Sequence, residues 1–183
     1  REVITFANTS EKGPLGDEKL EIVKNGGVIV AGEKILKVGS FEDLKPEADS
    51  IDEVKSEQVL MPGLIDCHTH MVWGGTRSRD YTLRMSGESY EKILEQGGGI
   101  FDSVEKTRAA SNEELKAGLI RRANRHLRDG ITTIEVKSGY GLDVTNELKI
   151  LEVVKDAKAE IEADLRADLK KNGSVSLHKH LER

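Results

Sequence analysis

The chain has 183 residues, with 28 Lys and Arg against 33 Asp and Glu, a net charge of -5, and a single cysteine. That length suits one ordinary domain, or a small domain joined to part of a larger one, and it supports a real core. Balanced charge without a basic block interleaved with aromatics argues against nucleic acid, one cysteine excludes an internal disulfide, and no apolar run approaches the ~20 residues of a membrane span. A soluble cytoplasmic protein is expected. Arg1 opens the chain and no charged-then-apolar leader follows, so the N-terminus reads as trimmed, processed or absent from this sequence.

Residues 20 to 60 read as β. Gly27-Val28-Ile29-Val30-Ala31 and Lys34-Ile35-Leu36-Lys37-Val38 flank Gly32-Glu33, which suits a two-residue hairpin turn. Glu11 to Asp17, with Gly13-Pro14 and Gly16, is a loop pattern, and Phe41 to Leu44 fits one helical turn ahead of Pro46.

Leu60-Met61-Pro62-Gly63-Leu64-Ile65-Asp66-Cys67-His68-Thr69-His70 is the most informative segment. Pro-Gly leads into a short apolar strand, and the strand ends in two histidines one residue apart. Side chains of an extended strand alternate faces, so His68 and His70 point the same way. Neutral imidazole is the commonest protein ligand for zinc or iron, so this spacing brings two metal-ligating nitrogens to one point. Their place at the C-terminal end of a buried strand is where α/β barrels keep their chemistry. Asp66 shares that face, as a partner of the histidines or a structural carboxylate. Cys67 alternates to the other face and is expected in the core.

Beyond Met71, helix and strand alternate, which argues for parallel βα units. Ser111-Asn112-Glu113-Glu114 is a capping box, followed at helical spacing by Leu115, Leu119, Ile120, Ala123 and Leu127 until Gly130. His126 in that helix reads as solvated or surface-paired. Ile131 to Val136 is β-branched and strand-like, and Ser138-Gly139-Tyr140-Gly141 is the loop that leaves it. A second helix starts near Asp143 or Thr145, with Leu148, Leu151, Val154, Ala157, Ile161, Leu165 and Leu169 roughly on one stripe and a stop at Asn172-Gly173. Unbroken, it spans about 40 Å.

Four blocks together resemble the imidazolonepropionase family of metal-dependent amidohydrolases: Met61 to His70; Gly74-Gly75-Thr76-Arg77; Gln96 to Ile100 with Thr107 to Ser111; and Glu135-Val136-Lys137-Ser138-Gly139-Tyr140-Gly141-Leu142. Pro-Gly-Leu-Ile-Asp-x-His-x-His alone marks the wider superfamily, and the glycine-rich block with Glu-Val-Lys-Ser-Gly-Tyr-Gly narrows it. The resemblance implies an α/β fold: the first βα units of a TIM-type barrel over residues 61–164, preceded by a small β-sandwich segment over 1–60. Residues 165–183 form a divergent charged tail. It also implies one Zn²⁺ or Fe ion held by His68 and His70, substrate contacts from Arg77 (to a propionate) and Tyr140, and a homo-oligomeric full-length enzyme. The implied reaction opens 4-imidazolone-5-propanoate to N-formimidoyl-L-glutamate in histidine breakdown.

Each residue has a second reading in the sequence. His68 and His70 could be buried and bonded to backbone, Arg77 could pair with Asp80, and Tyr140 could cover the rim. Lys137 invites comparison with the metal-bridging lysine of two-metal amidohydrolases, although a salt-bridging strand residue is the simpler expectation. The resemblance stops near Leu165, and from Met61 the chain runs only to Arg183, against about 250 residues for a complete barrel. The ligands and proton-transfer residues that the family places on later strands have no counterpart, so the catalytic residues are unassigned. His178-Lys179-His180 is a second His-x-His, in a charged context without an apolar strand. The alternatives are another cyclic-amide hydrolase or deaminase of the superfamily, or a non-catalytic fragment. Two βα units also leave apolar strand faces uncovered, so the isolated chain is expected to associate.

Overall fold

The computed structural model describes residues 1–9, 13–32 and 34–172, with side chains as far as Ile161. Its contacts divide it into two units, at Gly63/Leu64. In the first unit β1 (Glu2–Ile4) pairs antiparallel with β2 (Ile22–Lys24) and parallel with β5 (Val59–Leu60). The expected hairpin is present: β3 (Gly26–Ala31) runs antiparallel to β4 (Lys34–Ser40), with Ala31 opposite Lys34 and Gly32 at φ +59° in the turn. Glu33 lies outside the described residues. The short helix α1 (Phe41–Leu44) starts at Ser40, whose hydroxyl accepts the Asp43 N–H, and buries Leu44 against Gly27 and Gly39.

The second unit is built on two parallel neighbouring strands, β6 (Leu64–Thr69) and β7 (Ile131–Val136). Between them come α2 (Ser78–Met85), α3 (Tyr90–Glu95), α4 (Gly99–Ala109) and α5 (Asn112–Arg128), and α6 (Val144–Asn172) follows β7. The capping box at Ser111 and Glu114 forms, and Gly130 ends the α5 turn at φ +85°. The core joins Leu115, Leu119 and Ala123 of α5 to Ile150, Val153, Ala157 and Ile161 of α6, with Met71 and Val72 from the segment after β6 and Ile134 and Val136 of β7 packed against it.

Two expectations are corrected here. Leu148 and Leu151 are exposed, because the stripe that α6 turns to α5 runs through Ile150, Val153, Ala157 and Ile161, and 100° per residue carries 148 and 151 off it. Cys67 is exposed rather than core, since β6 contributes nothing to the buried cluster and its odd-numbered face, including Ile65 at 69% exposure, is left open among the described residues. Phe101, Tyr81 and Met85 are likewise open. No helix among the described residues is long and apolar enough to cross a membrane.

Candidate functional site

Because β6 and β7 are parallel, the segments leaving them emerge at the same edge of the sheet. The Lys137 N–H donates to the Thr69 carbonyl at 2.8 Å and the Thr69 hydroxyl to the Glu135 carbonyl at 2.7 Å, so the two strand ends are in register. His68 and His70 stand side by side at this edge. Their ring centroids are 5.3 Å apart with planes at 68°, both residues are exposed, and neither imidazole has a hydrogen-bond partner among the described residues. The Tyr140 ring lies 6.0 Å from His70. Two adjacent imidazoles whose ring nitrogens bond no other group among the described residues are a donor pair suited to a zinc or iron ion. No group of three or more His, Cys, Asp or Glu gathers among the described residues, and a catalytic zinc site generally takes three protein ligands.

The loop after β7 is tied down from two helices. Glu147 of α6 accepts the N–H groups of Gly141 at 2.8 Å and Leu142 at 2.7 Å, while Arg108 of α4 donates through Nε to the Gly141 carbonyl at 2.7 Å and pairs with Asp143. Burial works against the Glu147 charge, but the Leu142 N–H, the Ser138 hydroxyl and the N–H groups of Gly141 and Gly139 outweigh it and hold the carboxyl below its ordinary value.

The segment after β6 is fixed from α5. Arg122 donates from Nη1 to the Met71 carbonyl at 2.8 Å and from Nη2 to the Trp73 carbonyl at 3.3 Å, and its guanidinium stacks 3.2 Å from the Trp73 ring centroid. Partial burial, with Arg121 nearby, lowers its pKa to about 10. His126 faces the Asp66 carboxylate at 3.7 Å, which satisfies the surface-pair reading, and the other Asp66 oxygen accepts the His68 N–H at 3.3 Å.

Arg77 pairs not with Asp80 but with Ser103, whose hydroxyl accepts its Nε–H at 2.8 Å. Asp80 instead accepts the Gly99 N–H at 2.7 Å, at the start of α4. Lys137 forms the strand-neighbour ion pair with Glu135 at 2.7 Å. That lysine, with a smaller contribution from His68, keeps the Glu135 carboxyl below the usual carboxylate range. His178 and His180 lie outside the described residues. His70, Arg77 and Tyr140 line one concavity of about 410 Å³ with Trp73, Ser103 and Arg122. Of these, Trp73, Ser103 and Arg122 carry no motif in sequence, and neither does Glu147, while Arg108 stands in the Thr107 to Ser111 block without any sign there of what it holds.

An α/β unit whose polar side chains converge at the C-terminal ends of parallel strands is the arrangement by which enzymes of this architecture hold small ligands. Comparison with known proteins gives the family. The chain is 46% identical over 138 residues to an imidazolonepropionase of Pseudomonas savastanoi pv. phaseolicola, a match covering 75% of this chain and 34% of the relative. It is 42% identical over 135 residues to an imidazolonepropionase of Paracoccus denitrificans (73% and 34%) and 43% over 155 residues to one of Idiomarina loihiensis (84% and 38%). No family model matches the chain. The chain belongs to the imidazolonepropionase family and spans about a third of the length of these curated relatives.

Proposed function

We propose that this chain supplies the first βα units of a (β/α)₈ barrel and, within a protein of the relatives' full length, part of a site for metal-dependent ring opening of 4-imidazolone-5-propanoate to N-formimidoyl-L-glutamate. The observation that carries the reading is the concavity shared by His70, Arg77 and Tyr140, with His68 beside it. His68 and His70 are read as two of the ligands of a Zn²⁺ or Fe ion, which when bound polarises the ring carbonyl and acidifies water near neutral pH. Arg77 binds the propionate through a planar fork of donors, and Tyr140 hydrogen-bonds the substrate from the loop after β7. The proton-transfer groups and remaining ligands are assigned to sequence outside this chain. The match at Arg77 and Tyr140 disfavours another cyclic-amide hydrolase or deaminase of the superfamily.

The test is a ring-opening assay with stoichiometric zinc. The 183-residue chain alone is expected to show negligible turnover, whereas a protein extended to the relatives' length is active and loses activity on His68→Ala or His70→Ala. An extended protein indifferent to both substitutions would overturn the proposal.

A further inference from the structure

We propose that Ser103 and Thr107 of α4 are positioning residues, a two-point clamp that holds the Gly74–Arg77 loop and aims the Arg77 guanidinium end-on into the concavity. The inference deepens the reading of Arg77 as a carboxylate-binding residue and rests on it for its functional consequence.

Ser103 and Thr107 are four residues apart and so share one face of the helix, where both are nearly inaccessible, at 5% and 2% exposure. Buried hydroxyls need partners, and these two find them in the loop. The Thr107 hydroxyl accepts the Gly74 N–H at 3.0 Å and donates to the Ser103 carbonyl at 2.6 Å, while the Ser103 hydroxyl accepts the Arg77 Nε–H at 2.8 Å. The loop lies directly on the helix backbone. A Cβ at Gly74 would sit 2.5 Å from the Lys106 carbonyl oxygen, and Gly75 has φ +72°, so the two glycines of the Gly-Gly-Thr-Arg block are what lets the loop reach the clamp.

The consequence is a choice of edge. With Nε occupied by Ser103, the guanidinium retains its Nη1/Nη2 end, and neither of those groups has a partner among the described residues. Arg122 lines the same concavity, where it donates one N–H of each Nη group to the Met71 and Trp73 carbonyls and stacks on the Trp73 ring. Arg77 can thus offer its Nη1/Nη2 edge as two parallel donors to a carboxylate, and the clamp orders it before a ligand arrives. A lysine could not be held by Ser103 and still present a fork.

The test uses the ¹⁵N-labelled 183-residue chain and its Arg77 Nε–Hε NMR signal, identified by its disappearance in Arg77→Lys. Hε exchange with solvent is expected to be slow in the wild type, at least about tenfold faster in Ser103→Ala, and slow again in Ser103→Thr. Two probes then separate positioning from general damage: 3-(imidazol-4-yl)propanoate and the neutral 4-propylimidazole. Ser103→Ala should weaken the propanoate about five- to tenfold, the cost of ordering one long side chain, and leave the neutral probe within about twofold. Hε exchange indifferent to Ser103→Ala, or equal weakening of both probes, overturns the clamp. If the clamp is present but Arg77→Lys leaves propanoate binding unchanged, the carboxylate role of Arg77 fails while the positioning stands. If the wild type binds neither probe, the Hε signal alone decides.

Discussion

Gly139 lies against the imidazole of His70: a Cβ at that glycine would fall 2.8 Å from His70 Cε1 and 2.9 Å from Nδ1, and the backbone there has φ +151°. Space and backbone conformation both call for glycine. The loop after β7 thus forms one wall of the histidine site.

Gly139→Ala should therefore displace the His70 ring and strain the loop, lowering stability by about 1 to 3 kcal/mol. Thermal unfolding and the His70 ring signals in NMR check this. An unchanged melting temperature with unmoved His70 signals would mean that the loop does not press on the ring.

Glu147 gives a pH dependence with a defined sign. Its folded-state pKa lies below the ordinary 4.5, so its contribution is present above about that pH and is lost as pH falls through the folded value. Glu147→Gln should cost about 1 kcal/mol at neutral pH, where the hydrogen bonds from the Gly141 and Leu142 N–H groups lose their charge assistance, and should flatten the acid limb of a melting-temperature profile. An acid limb identical to wild type would remove Glu147 from the account.

Arg122→Met keeps an unbranched apolar stem but leaves the Met71 and Trp73 carbonyls without their donor and Trp73 without its stacked cation. A loss of about 2 kcal/mol is expected. Trp73 is the single tryptophan of the chain, so its fluorescence reports the change directly. Unaltered emission and stability would show that α5 does not anchor the segment after β6.

What the sequence discloses of this fold depends on whether short-range rules or tertiary contacts decide each element. The helix α5 is legible because its capping box and apolar period agree, and the β3–β4 hairpin because two β-branched runs flank a glycine turn. The helix α4 escapes a hydrophobic-period reading because its buried face includes Gly99, Ser103 and Thr107 beside Val104. Cys67 is expected in the core from strand alternation alone, and alternation cannot report that this side of β6 stays open among the described residues. At the site, His68, His70, Arg77 and Tyr140 stand in motifs. Ser103, Arg108, Arg122 and Glu147 act across 26, 33, 51 and 6 residues of chain, so all but the last depend on a packing that local patterns do not carry.

The central claim is that His68 and His70 form one metal-binding pair, and a zinc titration followed through the histidine ring signals tests it most directly. The account predicts that His68 and His70 respond together, saturating at one Zn²⁺ per chain with weak affinity, and that His68→Ala abolishes the response at His70. Zinc that moves His126, His178 or His180 while His68 and His70 stay unchanged would contradict it.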